Sequence, residues 1–134
     1  MGKLLMVAIL FAALVGCSNR NTPEHTAEDF VYNYYLHANQ DLALPLTDGL
    51  AREKLTEEIE LLRSIRSGSE QINVHPEIEY KLIHRKDQDA THVSFRYQLT
   101  IKNTSISDTV RNTIILTESI DGRWKVINFD EYAE

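Results

Sequence analysis

The residue with the most distinctive chemistry is Cys17, the only cysteine in 134 residues. It follows Gly16 and Leu4 to Val15, twelve residues without a polar side chain. A thiolate is a strong nucleophile that can carry a thioether-linked group, and with no second cysteine present it closes no disulfide in this chain. His84 and His92 offer a second chemistry. They flank a polar turn centred near Gln88 and would lie across from one another in a hairpin, which invites a metal. Two histidines fall short of the three protein ligands that even an open catalytic zinc site uses, so solvated strand residues and no metal are expected. His25, His37 and His75 stand at no ligand spacing. The chain has no glycine-rich phosphate loop, serine nucleophile elbow or Cys/His pairing, and no cofactor is expected.

The apolar run before Cys17 is too short to cross a bilayer, which takes about 20 residues, but fits the core of an export signal, which takes about 7 to 15. Lys3 is the only charge in residues 1–16. The run ends in Leu14-Val15-Gly16-Cys17, which resembles the lipobox of bacterial lipoproteins. That resemblance implies cleavage before Cys17, diacylglycerol on its sulfur and palmitate-like acyl chains in a membrane. It also implies that Ser18, where Asp would retain the protein at the inner membrane, sends it to the periplasmic side of the outer membrane in a diderm cell. Two or three acyl chains make attachment effectively permanent.

The expected division is therefore a signal peptide at 1–16, a lipidated flexible tether at 17–25 and a folded domain at 26–134. Ser18 to His25 is polar with one proline, and eight residues reach about 28 Å at most. Once Lys3 leaves with the signal, 13 of the 14 basic residues face 20 acidic ones. An acidic domain without a basic block is a poor partner for nucleic acid, and its membrane contact should come from lipid on Cys17.

Chemistry in the domain needs elements to hold it. Thr26 can cap a first helix with Glu28 and Asp29 in its first turn, and Ala27, Phe30, Val31, Tyr34, Tyr35, Ala38 and Leu42 form its apolar stripe before Pro45. Thr47 or Asp48 can cap a second helix, with Ala51, Leu55, Ile59, Leu62 and Ile65 buried and Gly68 as the stop. Beyond Gly68 the period changes to two. Ile78, Tyr80 and Leu82 alternate in one strand, and Val93, Phe95, Tyr97, Leu99 and Ile101 in the next. In Val110 to Ser119 the run Ile114-Ile115-Leu116 predicts burial on both faces. Asp121-Gly122 predicts a tight hairpin. In the last strand Trp124 and Val126 point inward, and Ile127 and Phe129 the other way. The fold class expected is α+β, two N-terminal helices packed on a curved four-stranded antiparallel sheet.

This order, the long Thr91 to Asn103 strand, and the closing Asp121-Gly122-Arg123-Trp124-Lys125-Val126 hairpin that leads into Phe129-Asp130 resemble the nuclear transport factor two-like, or cystatin-like, superfamily. The likeness spans Ala27 to Tyr132 and implies a sheet curved around a helix, with a cone-shaped cavity between them. Members include enzymes, ligand carriers and binding partners. For the isomerases and dehydratases among them it implies an Asp or His base with a Tyr or acid donor, for which Asp130, His92, Tyr80 and Tyr97 are the candidates here. No spacing maps these four onto a catalytic signature, so no catalytic residue is assigned. A non-enzymatic domain that meets an envelope protein is expected first. A carrier of a small apolar ligand comes second, and an isomerase or dehydratase third. Phe30, Tyr34, Tyr35, Tyr97 and Trp124 are expected as core.

Overall fold

The computed structural model describes residues 20–66 and 76–133. The signal segment, Cys17, Ser18 and the helix stop expected at Gly68 lie outside the described residues. The first helix, α1 (Pro23–Val31), starts earlier than expected. Thr22, not Thr26, is its cap, with Oγ1 accepting from the His25 N–H at 3.2 Å. Pro23 follows at the first helical position, where its fixed φ suits a helix and its missing N–H costs nothing. Thr26 is instead buried in the helix, whose residues Pro23 to His25 fall in the stretch expected to be a flexible tether.

After Val31 the helix widens into a π-helical turn, Tyr32–Leu36. In a regular helix Tyr34 and Tyr35 would stand about 100° apart. The wider turn lets both reach the sheet side with Phe30: Tyr34 stacks on Phe30 at 5.3 Å and Tyr35 meets its edge at 6.4 Å. The helix then ends at Leu36 with His37 as its cap, and Ala38 follows with a left-handed φ of +47°. The expected stripe therefore stops short of Leu42, which is 57% exposed. Asn39 caps a short helix that apolar spacing does not signal, α2 (Gln40–Ala43), which tightens into a 3-10 turn at Leu44–Leu46.

The third helix, α3 (Gly49–Arg66), begins on the sheet itself. Thr47 bridges Val126, and the Asp48 N–H donates to the Val126 carbonyl at 2.9 Å. Lys54 Nζ donates to Asn128 Oδ1, the Phe129 carbonyl and Asp130 Oδ1 at 2.8, 3.0 and 3.0 Å, so one ammonium laces α3 to the last strand. Ala51, Leu55 and Ile59 are buried as expected, but Ile65, expected in the same stripe, is 62% exposed.

Four strands, β1 (Ile78–Asp87), β2 (His92–Ile101), β3 (Thr109–Ile120) and β4 (Arg123–Tyr132), form an antiparallel meander in sequence order. The helices cover one face of this sheet and leave the other open. Val93, Phe95, Tyr97 and Leu99 of β2 point under the helices as their alternation requires. Asp121 and Gly122 take φ +50° and +78°, the paired left-handed geometry of the tight hairpin.

Four strand expectations need correction. Leu82 is exposed although it keeps the inner-face register opposite Tyr97, and a bulge before His84 inserts Ile83, also exposed. A second irregularity, opposite Leu116 and Thr117, adds Ile127 to β4 and turns Phe129 to the same inner face as Val126. Ile114 is 38% exposed, because no layer covers the outer face and only Ile115 of the three-residue run is buried. Trp124, expected to be fully buried, is half-buried at the rim of the core.

Candidate binding surfaces on the two faces of the sheet

The inner face is where a cone-shaped cavity would open, and aromatic rings occupy it. Phe129 lies 4.9 Å from Phe30 and 5.0 Å from Tyr34, and Tyr34 lies 4.7 Å from Tyr35, centroid to centroid. Each buried hydroxyl that these rings bring in has a partner, as burial demands. The Tyr35 hydroxyl is 2.8 Å from Thr113 Oγ1, and Thr113 donates on to the Asp130 carbonyl at 3.1 Å. Tyr34 donates to Glu58 at 2.7 Å. Burial pushes the pKa of Tyr34, Tyr35 and Tyr97 well above the usual tyrosine value, with the Glu58 carboxylate adding to the effect at Tyr34. These phenols are neutral fillers of the space between helix and sheet.

The outer face presents a grid of side chains set by the strand register. One row runs His84, Arg96, Ile114, Asp130; the next runs Lys86, Ser94, Leu116, Asn128; a third runs Lys81, Gln98, Asn112, Tyr132. The first two rows line a cleft of about 480 Å³ with a basic side on β1 and β2, an aliphatic floor on β3 and a polar side on β4. Asn112 is 1% exposed, and neither its side-chain oxygen nor its nitrogen has a hydrogen-bond partner among the described residues. An unmet buried amide costs about 1 to 3 kcal/mol, so this face carries an unused hydrogen-bonding pair. Arg96 lies over the Tyr132 ring, 6.0 Å from its centroid, next to that amide.

The sheet separates the candidate acid and base residues. Tyr80 and Tyr97 come together on the inner face with ring centroids 6.1 Å apart, and Tyr80 donates to Glu28 at 2.9 Å, which raises the Tyr80 pKa. Asp130 and His92 lie on the outer face. Asp130 is held by Lys54 at 3.0 Å. His92 Nδ1 is 3.0 Å from Asp89, and Nε2 is 3.5 Å from Glu118. The Thr91 N–H and His92 together hold the Asp89 carboxyl down at about 2.

His84 and His92 do not face each other. His84 pairs with Arg96, because the turn centres on Ala90 rather than Gln88. Asp89 sets that centre by accepting from the Thr91 N–H at 2.8 Å. Among the described residues no three His, Cys, Asp or Glu side chains group as metal ligands, and no helix is long and apolar enough to cross a membrane. Asn112 and the Lys54 clamp carry no signal in the sequence, where each reads as an ordinary polar residue of a strand or helix.

No protein-family model and no curated protein matches this chain. Solved structures do. An NTF-2 like protein of unknown function from Shewanella oneidensis MR-1 superposes with a TM-score of 0.54 over 81% of this chain and 93% of its own, at 11% identity. A ketosteroid isomerase-like protein from Erwinia carotovora atroseptica SCRI1043 superposes with a TM-score of 0.56 over 84% and 95%, at 12% identity. The fold is NTF-2-like. At this identity the likeness is one of architecture, and it is carried by the meander and the helices on its inner face. Set in the NTF-2-like frame, the grid of Arg96, Ile114 and Asp130 lies on the side of the sheet away from the helices.

Proposed function

We propose that this chain is an envelope lipoprotein, anchored through lipid on Cys17, whose NTF-2-like domain binds a protein partner on the open outer face of its sheet without turning over a substrate. The observation that carries this reading is the contrast between the two faces. A carrier needs an apolar space of roughly 300 Å³ or more around its ligand, and the space that would provide it holds Phe30, Tyr34, Tyr35 and Phe129. An isomerase or dehydratase needs base and donor within reach of one substrate, and Asp130 and His92 stand on the opposite face from Tyr80 and Tyr97. The outer face, by contrast, leaves Ile114 and Arg96 exposed, with Arg96 over the Tyr132 ring, and arginine and tyrosine are enriched at interfaces.

The anchor and the face are tested separately. Cells expressing the chain and fed an alkynyl fatty acid should label it, and Cys17→Ser should abolish the label while leaving the domain folded. An unlabelled wild-type chain overturns the anchor. A photo-crosslinking amino acid at Ile114 should join the chain to one defined protein in intact cells, and the same group at the exposed Glu57 of α3 should not. Equal crosslinking from both positions, or none from Ile114, overturns the face. Ser18→Asp should move the protein to the inner membrane in a diderm host.

A further inference from the structure

The chain is tied to the domain much closer to Cys17 than a tether ending at His25 would allow. Arg20 pairs with Asp29 at 2.8 Å. The Asn21 side chain donates to the Gly122 carbonyl at 2.7 Å and accepts from the Trp124 N–H at 2.9 Å, and the Thr22 cap follows. Three residue steps separate Cys17 from Arg20, and these span about 11 Å at most. A lipid on Cys17 therefore brings the membrane to one particular end of the domain. That end carries the β3–β4 turn at Asp121-Gly122 and, through the Ser119 N–H to Thr91 carbonyl bond at 2.8 Å, the β1–β2 turn as well.

At this end Arg20, Arg123 and Lys125 border a cleft of about 450 Å³ beside Trp124. The chain as a whole is acidic, at −6, yet the lining of this cleft sets Arg20, Arg123 and Lys125 against the single carboxylate Asp29, while Asp87, Asp89 and Glu118 lie toward the β1–β2 turn. Asp29, the cleft's own carboxylate, is already paired with Arg20, and Asp121 stands in the adjoining turn. Lys125 donates to the Pro45 carbonyl at 2.6 Å and forms no ion pair among the described residues, with Glu118 opposite it on β3. Arg123 forms no ion pair among the described residues and is exposed. Charges attract anionic headgroups within about one Debye length, roughly 10 Å at 0.1 M salt, which is the distance the short link imposes. Trp124 adds an amphipathic ring of the type that prefers the headgroup layer.

We infer that this cleft, with Arg20, Arg123, Lys125 and Trp124, docks on anionic phospholipid headgroups, so that the domain stands on its hairpin end with the strands rising from the bilayer and the outer face turned sideways to a partner. The inference rests on the lipid anchor at Cys17 proposed above. The lipid supplies attachment, and the cleft supplies orientation.

The test uses the chain from Cys17 to Glu134, coupled through the Cys17 thiol to a maleimide lipid in vesicles that also carry a headgroup nitroxide. Trp124 is the only tryptophan, so quenching of its emission reports how closely this end approaches the headgroups. Quenching should be about twofold stronger on vesicles containing phosphatidylglycerol than on phosphatidylcholine alone, and the difference should vanish in high salt. Arg20→Gln with Arg123→Gln and Lys125→Gln should remove the difference. Arg123→Gln alone, at an exposed side chain with no ion pair to lose, should reduce it, and Arg63→Gln on α3 should not. Equal quenching on both vesicles, or a difference that Arg123→Gln leaves undiminished, overturns the docking. Chemical coupling supplies the anchor here, so this result stands apart from the labelling experiment: an unlabelled cellular chain refutes the anchor, whereas equal quenching refutes the docked cleft.

Discussion

Raising the pH should unfold this domain through its buried tyrosines. Tyr35 and Tyr97 are 8% and 3% exposed, and burial raises the pKa of both above the ordinary 10.0. In the folded state the phenols keep their protons, while in the unfolded chain they release them from about pH 10. The unfolded state then binds fewer protons than the native state, so stability is fully present below pH 10 and falls as pH rises beyond it. Each such group contributes a slope of about 1.4 kcal/mol per pH unit, so the pair contributes nearly 3. By about pH 11.5 the loss is roughly 4 kcal/mol, a large part of the 5 to 15 kcal/mol that holds a domain of this size. Urea titrations at pH 8 to about 11.5 would measure it, with the tyrosinate absorbance band followed in parallel. Tyr35→Phe should cost about 1 kcal/mol at neutral pH, because the bond to Thr113 is lost, yet should make the alkaline slope shallower by one group's share. A native protein whose six tyrosines all ionise together near pH 10, or a Tyr35→Phe variant with an unchanged slope, would refute the buried placement.

Other perturbations read other parts of the structure. Ala38 holds a left-handed φ of +47°, so Ala38→Gly should leave the urea midpoint unchanged or raise stability by up to about 1 kcal/mol, and a clear loss would mean the helix does not end before it. Asn112→Val removes an unmet buried amide from a strand and should stabilise the domain by about 1 kcal/mol in thermal melts, while weakening any crosslink from Ile114 that depends on that amide. Trp124→Ala should cost about 1 to 2 kcal/mol, less than the 3 to 5 of a fully buried aromatic, because the ring sits at the rim of the core; a loss in the larger range in denaturant titrations would place it at the centre.

Local pattern alone was enough for the elements that obey one period. The alternation in Val93 to Leu99 assigns the inner face of β2 correctly, because side chains in an unbroken strand have no choice of face. Asp121-Gly122 is equally legible, since both positions of the tight turn need φ above zero and the residue types that tolerate it. Ala51, Leu55 and Ile59 follow from helical spacing in the same way. The two bulges are not legible, and each reverses the facing of the strand residues beyond it: the alternation of Tyr80 and Leu82 does not continue to His84, and Phe129 turns to the face of Val126, because an inserted residue leaves the composition of a strand unchanged. The start of α1 turned on Pro23, which reads as a linker residue by type and as a first helical residue by position. The candidate sites depended most on tertiary structure. His84 and His92 look paired until the Asp89 turn sets the register, and Asp130, His92, Tyr80 and Tyr97 look like one set until the sheet divides them. Exposure of Ile114 arises from which face the helices cover. That choice is made by long-range packing of Phe30, Tyr34 and Tyr35 against Phe129 and Thr113, contacts between residues some 80 to 100 positions apart, about which neighbouring residues carry no information.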